Sequence, residues 1–224
     1  MTHRAVMRAK VACLRRQQGV ADSAATAVRL LGIGVTHLRA AEPRLILVGG
    51  LPGAGKSTLA GGLADALGAV LIRSDRVRKE LAGIWPLTDR RSPWRTGLYQ
   101  PGRTAAVYDA LLRRAADALR HGESVVLDAG WVDAAARDAA LVIASRAGAT
   151  PVELRCVAPA QVAAERITGR TGDPSDATPE IAARLAAGFA PWPAASEIDT
   201  TARPADAVAA ALHRVEQVGT NVPS

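Results

Sequence analysis

Aromatic residues are scarce: four tryptophans, two tyrosines and one phenylalanine make up 3% of the 224 residues. A core of stacked rings is therefore excluded, and Ala, Val, Leu and Ile must build it within a hydrophobic share of 49%. Cysteine occurs only as Cys13 and Cys156, too few for a disulfide framework, which predicts a reducing compartment. No apolar run approaches the roughly 18–20 residues of a membrane span. Arg8, Lys10, Arg15 and Arg16 interrupt the N-terminus where the apolar stretch of a leader would lie. The expectation is a cytoplasmic protein with no membrane contact. His3, His37, His121 and His213 are scattered without metal-ligand spacing. Twenty glycines and thirteen prolines stay well under the roughly 25–30% that marks low complexity, so a folded domain is expected.

Lysine is confined to Lys10, Lys56 and Lys79 among 28 basic residues. The net charge of +7 raises the question of nucleic acid. Its distribution argues against a broad basic surface. Residues 1–43 hold seven bases against Asp22 and Glu42, whereas residues 44–224 hold 21 bases against 19 acids.

Residues 4–18 and 22–39 read as two Ala/Leu/Arg-rich helices, ended by Glu42-Pro43. They predict an N-terminal helical extension over 1–42 ahead of a domain over 43–224. In that domain short apolar runs at 44–48, 69–73, 123–128, 151–157 and 197–200 read as strands. Helical patterns fall at 55–67, 74–82, 103–120, 133–147, 159–169, 179–189 and 204–217, with Ser74 expected as an N-cap. Strands alternating with helices predict an α/β fold with a parallel sheet covered on both faces. Residues 83–103 break the pattern with Trp85, Trp94, Tyr99 and three prolines, and are expected to be a functional loop that shapes a pocket.

The decisive motif is Gly50-Leu51-Pro52-Gly53-Ala54-Gly55-Lys56-Ser57-Thr58, which fits G-x-x-x-x-G-K-[ST] between a predicted strand and a predicted helix. Glycines let successive N–H groups turn toward phosphate oxygens, and the following helix adds the positive end of its dipole. A compact ammonium at Lys56 suits a site between phosphates better than a planar guanidinium. The Ser57 hydroxyl is the expected Mg²⁺ ligand. None of the three lysines has an Asp two residues later, so the guanine-reading N-K-x-D pattern is missing and ATP is the expected nucleotide.

A phosphotransferase also needs a carboxylate near the acceptor, an acidic residue near Mg²⁺ and an arginine-bearing lid. Asp75 follows the second strand and is the candidate base. Asp128 ends the third strand and is the second candidate for Mg²⁺. Arg166 and Arg170 lie four apart on one helix ahead of a Gly/Pro loop and are the candidate lid arginines. Arg78 and Arg103 are candidates for an anionic group of the substrate.

These segments resemble the small P-loop kinases around polynucleotide kinases, zeta-toxin kinases and chloramphenicol phosphotransferases, which are also identified as AAA family ATPases. The resemblance spans about residues 44–215. It rests on residues 50–58, on Arg73-Ser74-Asp75 with Arg78, on Asp128 with Arg137, and on Glu165-Arg166 with Arg170. It implies a P-loop NTPase three-layer fold with a five-stranded parallel sheet of order 2-3-1-4-5. It further implies that Asp75 activates the acceptor hydroxyl and that Arg78 and Arg137, with Asp128, face the substrate. Residues 6–16 resemble the tail of an aminoglycoside-phosphotransferase-like domain that precedes this kinase domain in actinobacterial two-domain proteins. Residues 1–42 are on that basis a remnant able to pair with a domain partner or with a second copy.

The leading expectation is an ATP- and Mg²⁺-dependent kinase for a hydroxylated small molecule. A 5′-hydroxyl nucleic-acid kinase is the alternative, with Arg90, Arg91 and Arg95 as its clustered bases, and the near-neutral charge of residues 44–224 places it second. A nucleotide-sensing module without an acceptor is the third, and Asp75 with the paired arginines argues against it.

Overall fold

The computed structural model describes residues 2–40, 42–83, 101–169 and 179–220. Backbone packing divides the chain into two compact units, Met1–Glu42 and Pro43–Ser224. The first is a helical hairpin of α1 (Thr2–Gln17) and α2 (Ser23–Ala40). Small residues line its contact: Ala5, Ala9 and Ala12 on α1 are buried with Ala27 on α2, and a Cβ built on Gly34 comes 3.5 Å from Val6 Cγ2. Met7, Val11 and Leu14 on α1, and Val28, Leu31, Val35 and Leu38 on α2, form helical stripes that stay exposed.

The second unit holds β1 (Arg44–Gly49), α3 (Lys56–Leu67), β2 (Val70–Arg73), α4 (Ser74–Leu81), α5 (Pro101–Arg120), β3 (Val125–Asp128), α6 (Ala134–Ala147) and β4 (Thr150–Val157). It continues with α7 (Ala160–Thr168), α8 (Pro179–Ala187), β5 (Ser196–Asp199) and α9 (Pro204–Thr220). The sheet has the order β2-β3-β1-β4-β5, and every strand pair in it is parallel. This is the expected α/β fold and the expected strand order.

The side-chain alternation of the central strands explains the layers. Leu45 and Leu47 of β1, with Val125 and Leu127 of β3, face one core with Val107, Leu111 and Leu119 of α5 and Ala140 and Ala144 of α6. Ile46 and Val48, with Val126, Val152 and Leu154, face the other core with Leu59 and Leu63 of α3 and Ala211 and Val215 of α9. Burial on both faces is why β1 and β3 read as unbroken apolar runs.

Element ends differ from the sequence reading by one to three residues, and two helix starts have a physical reason. Helix α5 starts at Pro101 rather than 103, since Pro at the first helical position has no N–H to satisfy. Arg73, not Ser74, is the N-cap of α4, and its side chain makes no capping bond. Residues 84–100, which include Trp85, Arg90, Arg91, Trp94, Arg95 and Tyr99, lie outside the described residues.

Candidate active site

The chain leaves β1 toward one side of the sheet for β2, and leaves β3 toward the other side for β4. Parallel sheets bind ligands at the carboxyl ends of strands where the direction of winding switches. Residues 50–55 occupy that point, joining β1 to α3.

Three glycines of the loop are required twice over. Gly50, Gly53 and Gly55 have φ of +131°, +80° and +79°. A Cβ on Gly50 would lie 2.6 Å from the Cys156 carbonyl oxygen, and one on Gly53 only 2.3 Å from that of Ala163. A Cβ on Gly55 would lie 3.0 Å from Thr200 Cβ. The loop is thus pressed between the end of β4, α7 and the end of β5. Gly55 caps α3, and Lys56 and Ser57 form its first turn. Lys56 Nζ donates to the Leu51 carbonyl at 2.9 Å, spanning the loop.

Asp128 ends β3 in register with Val48 of β1 and Arg73 of β2. It is buried, and Arg73 Nε donates to its Oδ2 at 3.2 Å. Burial pushes its carboxyl above the usual carboxylate range; the Lys56 charge, a hydrogen bond with Ser57, and Arg73 oppose that push. Ser57 and Asp128, the two expected Mg²⁺ ligands, are therefore close neighbours.

Asp75 sits in the first turn of α4, two residues beyond the register partner of Asp128, and is paired with Arg78 one turn on. Arg78 and Arg103, from α4 and α5, line one cavity of about 400 Å³ with Leu81, Ala82, Ala106 and Val107. A second cavity of about 510 Å³ opens beside Gly55, Ser57 and Thr58 and is walled by Arg166, Gly169 and Thr200. Arg166 of α7 donates to the Thr200 carbonyl at 2.6 Å, and its second terminal nitrogen lies 3.5 Å from the Gly53 carbonyl oxygen. Arg170 lies outside the described residues.

Arg137 corrects the sequence reading. It was expected beside the substrate, yet it is 4% exposed. Its guanidinium donates to the carbonyls of Trp131 at 2.9 Å, Ala190 at 3.3 Å and Pro191 at 2.8 Å. It also lies 5.0 Å from the centroid of the Trp192 ring. With both terminal nitrogens donating to backbone carbonyls, Arg137 is a structural clamp. What it clamps matters to the site. Trp131 adopts φ +51°, an unusual conformation for a bulky residue. Its N–H is held by the Tyr108 hydroxyl at 3.1 Å and its carbonyl by Arg137. That fixes the turn leaving Asp128, whose Gly130 carbonyl accepts from Gly50 N–H at 3.3 Å. Trp192 in turn closes on Gly49, where a Cβ would meet its ring at 2.3 Å.

Sequence reasoning missed Thr200. It is buried at the end of β5, and its hydroxyl reaches the Ala54 carbonyl at 2.9 Å. Its one sequence signal is position, at the end of the last short apolar run.

The family described as AAA domain matches residues 45–192. The chain belongs to the AAA domain family. Over 213 residues this AAA domain protein is 45% identical to the uncharacterized protein Rv2004c of Mycobacterium tuberculosis, a match covering 95% of this chain and 43% of the relative. The same values hold for the uncharacterized protein Mb2027c of Mycobacterium bovis. The chain thus spans about two-fifths of the length of the curated relatives it matches. Among solved structures, a gluconokinase of Sinorhizobium meliloti aligns with a TM-score of 0.59 at 20% identity, covering 80% of this chain and 95% of that one. A sugar kinase of Janibacter aligns at 0.57 and 20% identity, covering 81% and 99%. The APS kinase of Mycobacterium tuberculosis, in complex with AMPPNP and APS, aligns at 0.54 and 18% identity, covering 78% and 98%. At these identities the likeness is one of fold. Among the described residues, no helix is long and apolar enough to cross a membrane.

Proposed function

We propose that this AAA domain protein transfers the γ-phosphoryl group of ATP to a hydroxyl of a small anionic acceptor. The observation that carries the reading is a second carboxylate, Asp75, in the first turn after β2 and paired with Arg78, which lines the two-arginine cavity. A site that only binds nucleotide has no use for it. The fold shared with a sugar kinase, a gluconokinase and an APS kinase supports the same class.

In this reading the N–H groups of residues 50–58 and the Lys56 ammonium hold the nucleotide phosphates. Asp75 accepts the proton of the acceptor hydroxyl as its oxygen bonds to phosphorus and the bond to ADP breaks. Arg78 and Arg103 hold an anionic group of the acceptor, and Arg166, with Arg170, neutralises charge on the moving phosphoryl group. Ser57 and Asp128 offer a hydroxyl and a carboxylate side by side, the oxygen donors that Mg²⁺ prefers. When bound there, Mg²⁺ supplies charge neutralisation between the phosphates. The α1–α2 hairpin carries none of these groups. We assign it to packing on a further domain, a reading supported by the greater length of the relatives.

The test offers γ-labelled ATP and Mg²⁺ with a metabolite extract in one arm and 5′-hydroxyl oligonucleotides in the other. Label is expected in an anionic small molecule. Label in the oligonucleotide would overturn the small-molecule reading in favour of a nucleic-acid kinase. Bound ATP with no transfer in either arm would favour a sensor.

A further inference from the structure

Thr200 is the point at which β5, α7 and the phosphate loop meet. Its N–H donates to the Val157 carbonyl at 3.1 Å, fastening it to the end of β4. Its hydroxyl lies 2.9 Å from the Ala54 carbonyl oxygen and 3.1 Å from that of Val157. A hydroxyl has one proton to donate. The Val157 oxygen already receives the Thr200 N–H, so Ala54 is the acceptor that depends on the hydroxyl.

The consequence follows from peptide planarity. In a trans peptide the C=O of one residue and the N–H of the next point in opposite directions. Pinning the Ala54 carbonyl to Thr200 therefore turns the Gly55 N–H to the side away from Thr200. It also removes a carbonyl dipole from the face that anions approach, where it would repel them. The other side of Thr200 serves Arg166. The guanidinium donates to the Thr200 carbonyl at 2.6 Å and has a weaker contact with its hydroxyl oxygen at 3.5 Å. Both Thr200 and Arg166 wall the cavity beside Gly55 and Ser57. The cation is thus stored against the loop, on neutral carbonyls that a phosphate outcompetes.

We propose that Thr200 is a positioning residue for the nucleotide phosphates, shaping the phosphate loop through its hydroxyl and keeping Arg166 beside that loop through its carbonyl. The assignment rests on the reading of residues 50–58 as a phosphate site.

The test measures binding of ATP, inorganic tripolyphosphate and adenosine to the full chain, by calorimetry, with no acceptor needed. Thr200→Val keeps the shape and removes the hydroxyl; Thr200→Ser restores it. The valine variant is expected to bind ATP and tripolyphosphate about tenfold more weakly, the loss of one hydrogen bond, with adenosine binding unchanged and the serine variant back near the wild type. Should the valine variant fail to fold, Thr200→Ala takes its place with the same expectation. Unchanged tripolyphosphate binding in the hydroxyl-free variant, or a serine variant as weak as it, overturns the assignment alone. An equal loss of adenosine and tripolyphosphate binding also overturns it, since that marks a general structural defect. Wild-type protein that binds neither ATP nor tripolyphosphate overturns the nucleotide reading first, and this assignment with it.

Discussion

Arg73 and Asp128 stand opposite each other at the carboxyl ends of β2 and β3, joined by a 3.2 Å ion pair. The edge strand thereby adds a second counter-charge, after Lys56, for the carboxylate at the centre of the site. Burial works against ionised Asp128, so losing a cationic neighbour has a structural consequence. Arg73→Met is expected to destabilise the protein by about 1–2 kcal/mol. That is less than the roughly 3–5 kcal/mol of a fully buried pair, because solvent partly screens this one. Denaturant melts check this. In the double variant with Asp128→Asn, the loss should fall short of the sum of the single losses; strict additivity would contradict the pairing.

Arg137 should behave as a clamp. Its three backbone acceptors come from two segments, Trp131 and Ala190-Pro191, that only a planar, multiply donating head bridges. Arg137→Lys is expected to lower stability by about 2–3 kcal/mol, the range for buried acceptors left unpaired. ATP affinity, measured well below the melting point, should stay within about threefold, a difference under 1 kcal/mol. A lysine variant that melts like the wild type and yet loses transfer would restore Arg137 to the substrate site.

Two adjacent glycines of α3 make a paired test of packing. A Cβ on Gly61 meets nothing within 4 Å, whereas one on Gly62 comes 2.5 Å from Val208 Cγ2 of α9. Gly61→Ala should stabilise the protein by about 0.5–1 kcal/mol through helix propensity. Gly62→Ala should give no gain, or a loss, because the α3–α9 contact has to open. Thermal melts of the two variants decide it, and equal gains would contradict the close approach of α9.

The cysteines should differ in reactivity. Cys13 is exposed and Cys156 is buried. Burial pushes the Cys156 thiol up to about 12. The thiolate is the reactive form, and the reagent must reach the sulfur. Iodoacetamide at pH 8 should therefore label Cys13 in the native protein and Cys156 only after unfolding, as read by peptide mass spectrometry. Rapid native labelling of Cys156 would mean that the end of β4 opens to solvent.

The legible part of the fold was the part with periodicity. Unbroken apolar strands and the Gly50–Thr58 pattern placed the loop, the helix after it and the carboxyl-end residues Asp75 and Asp128. Arg137 misled because an arginine shortly after the third strand looks the same whether it faces ligand or backbone. Only the fold brings Ala190 and Pro191 to it, more than fifty positions along the chain. Thr200 was invisible for the converse reason. A threonine ending a short strand is commonplace, and its partner Ala54 lies 146 residues earlier.

The central claim is that Asp75 serves transfer while Lys56 serves nucleotide binding. The most direct measurement compares ATP affinity and label transfer in Asp75→Asn and Lys56→Met. Asp75→Asn should bind ATP within about threefold of the wild type and lose transfer by about 10²-fold or more, the contribution of a positioned base. Lys56→Met should lose both. An Asp75→Asn variant that transfers phosphate at the wild-type rate would contradict the account.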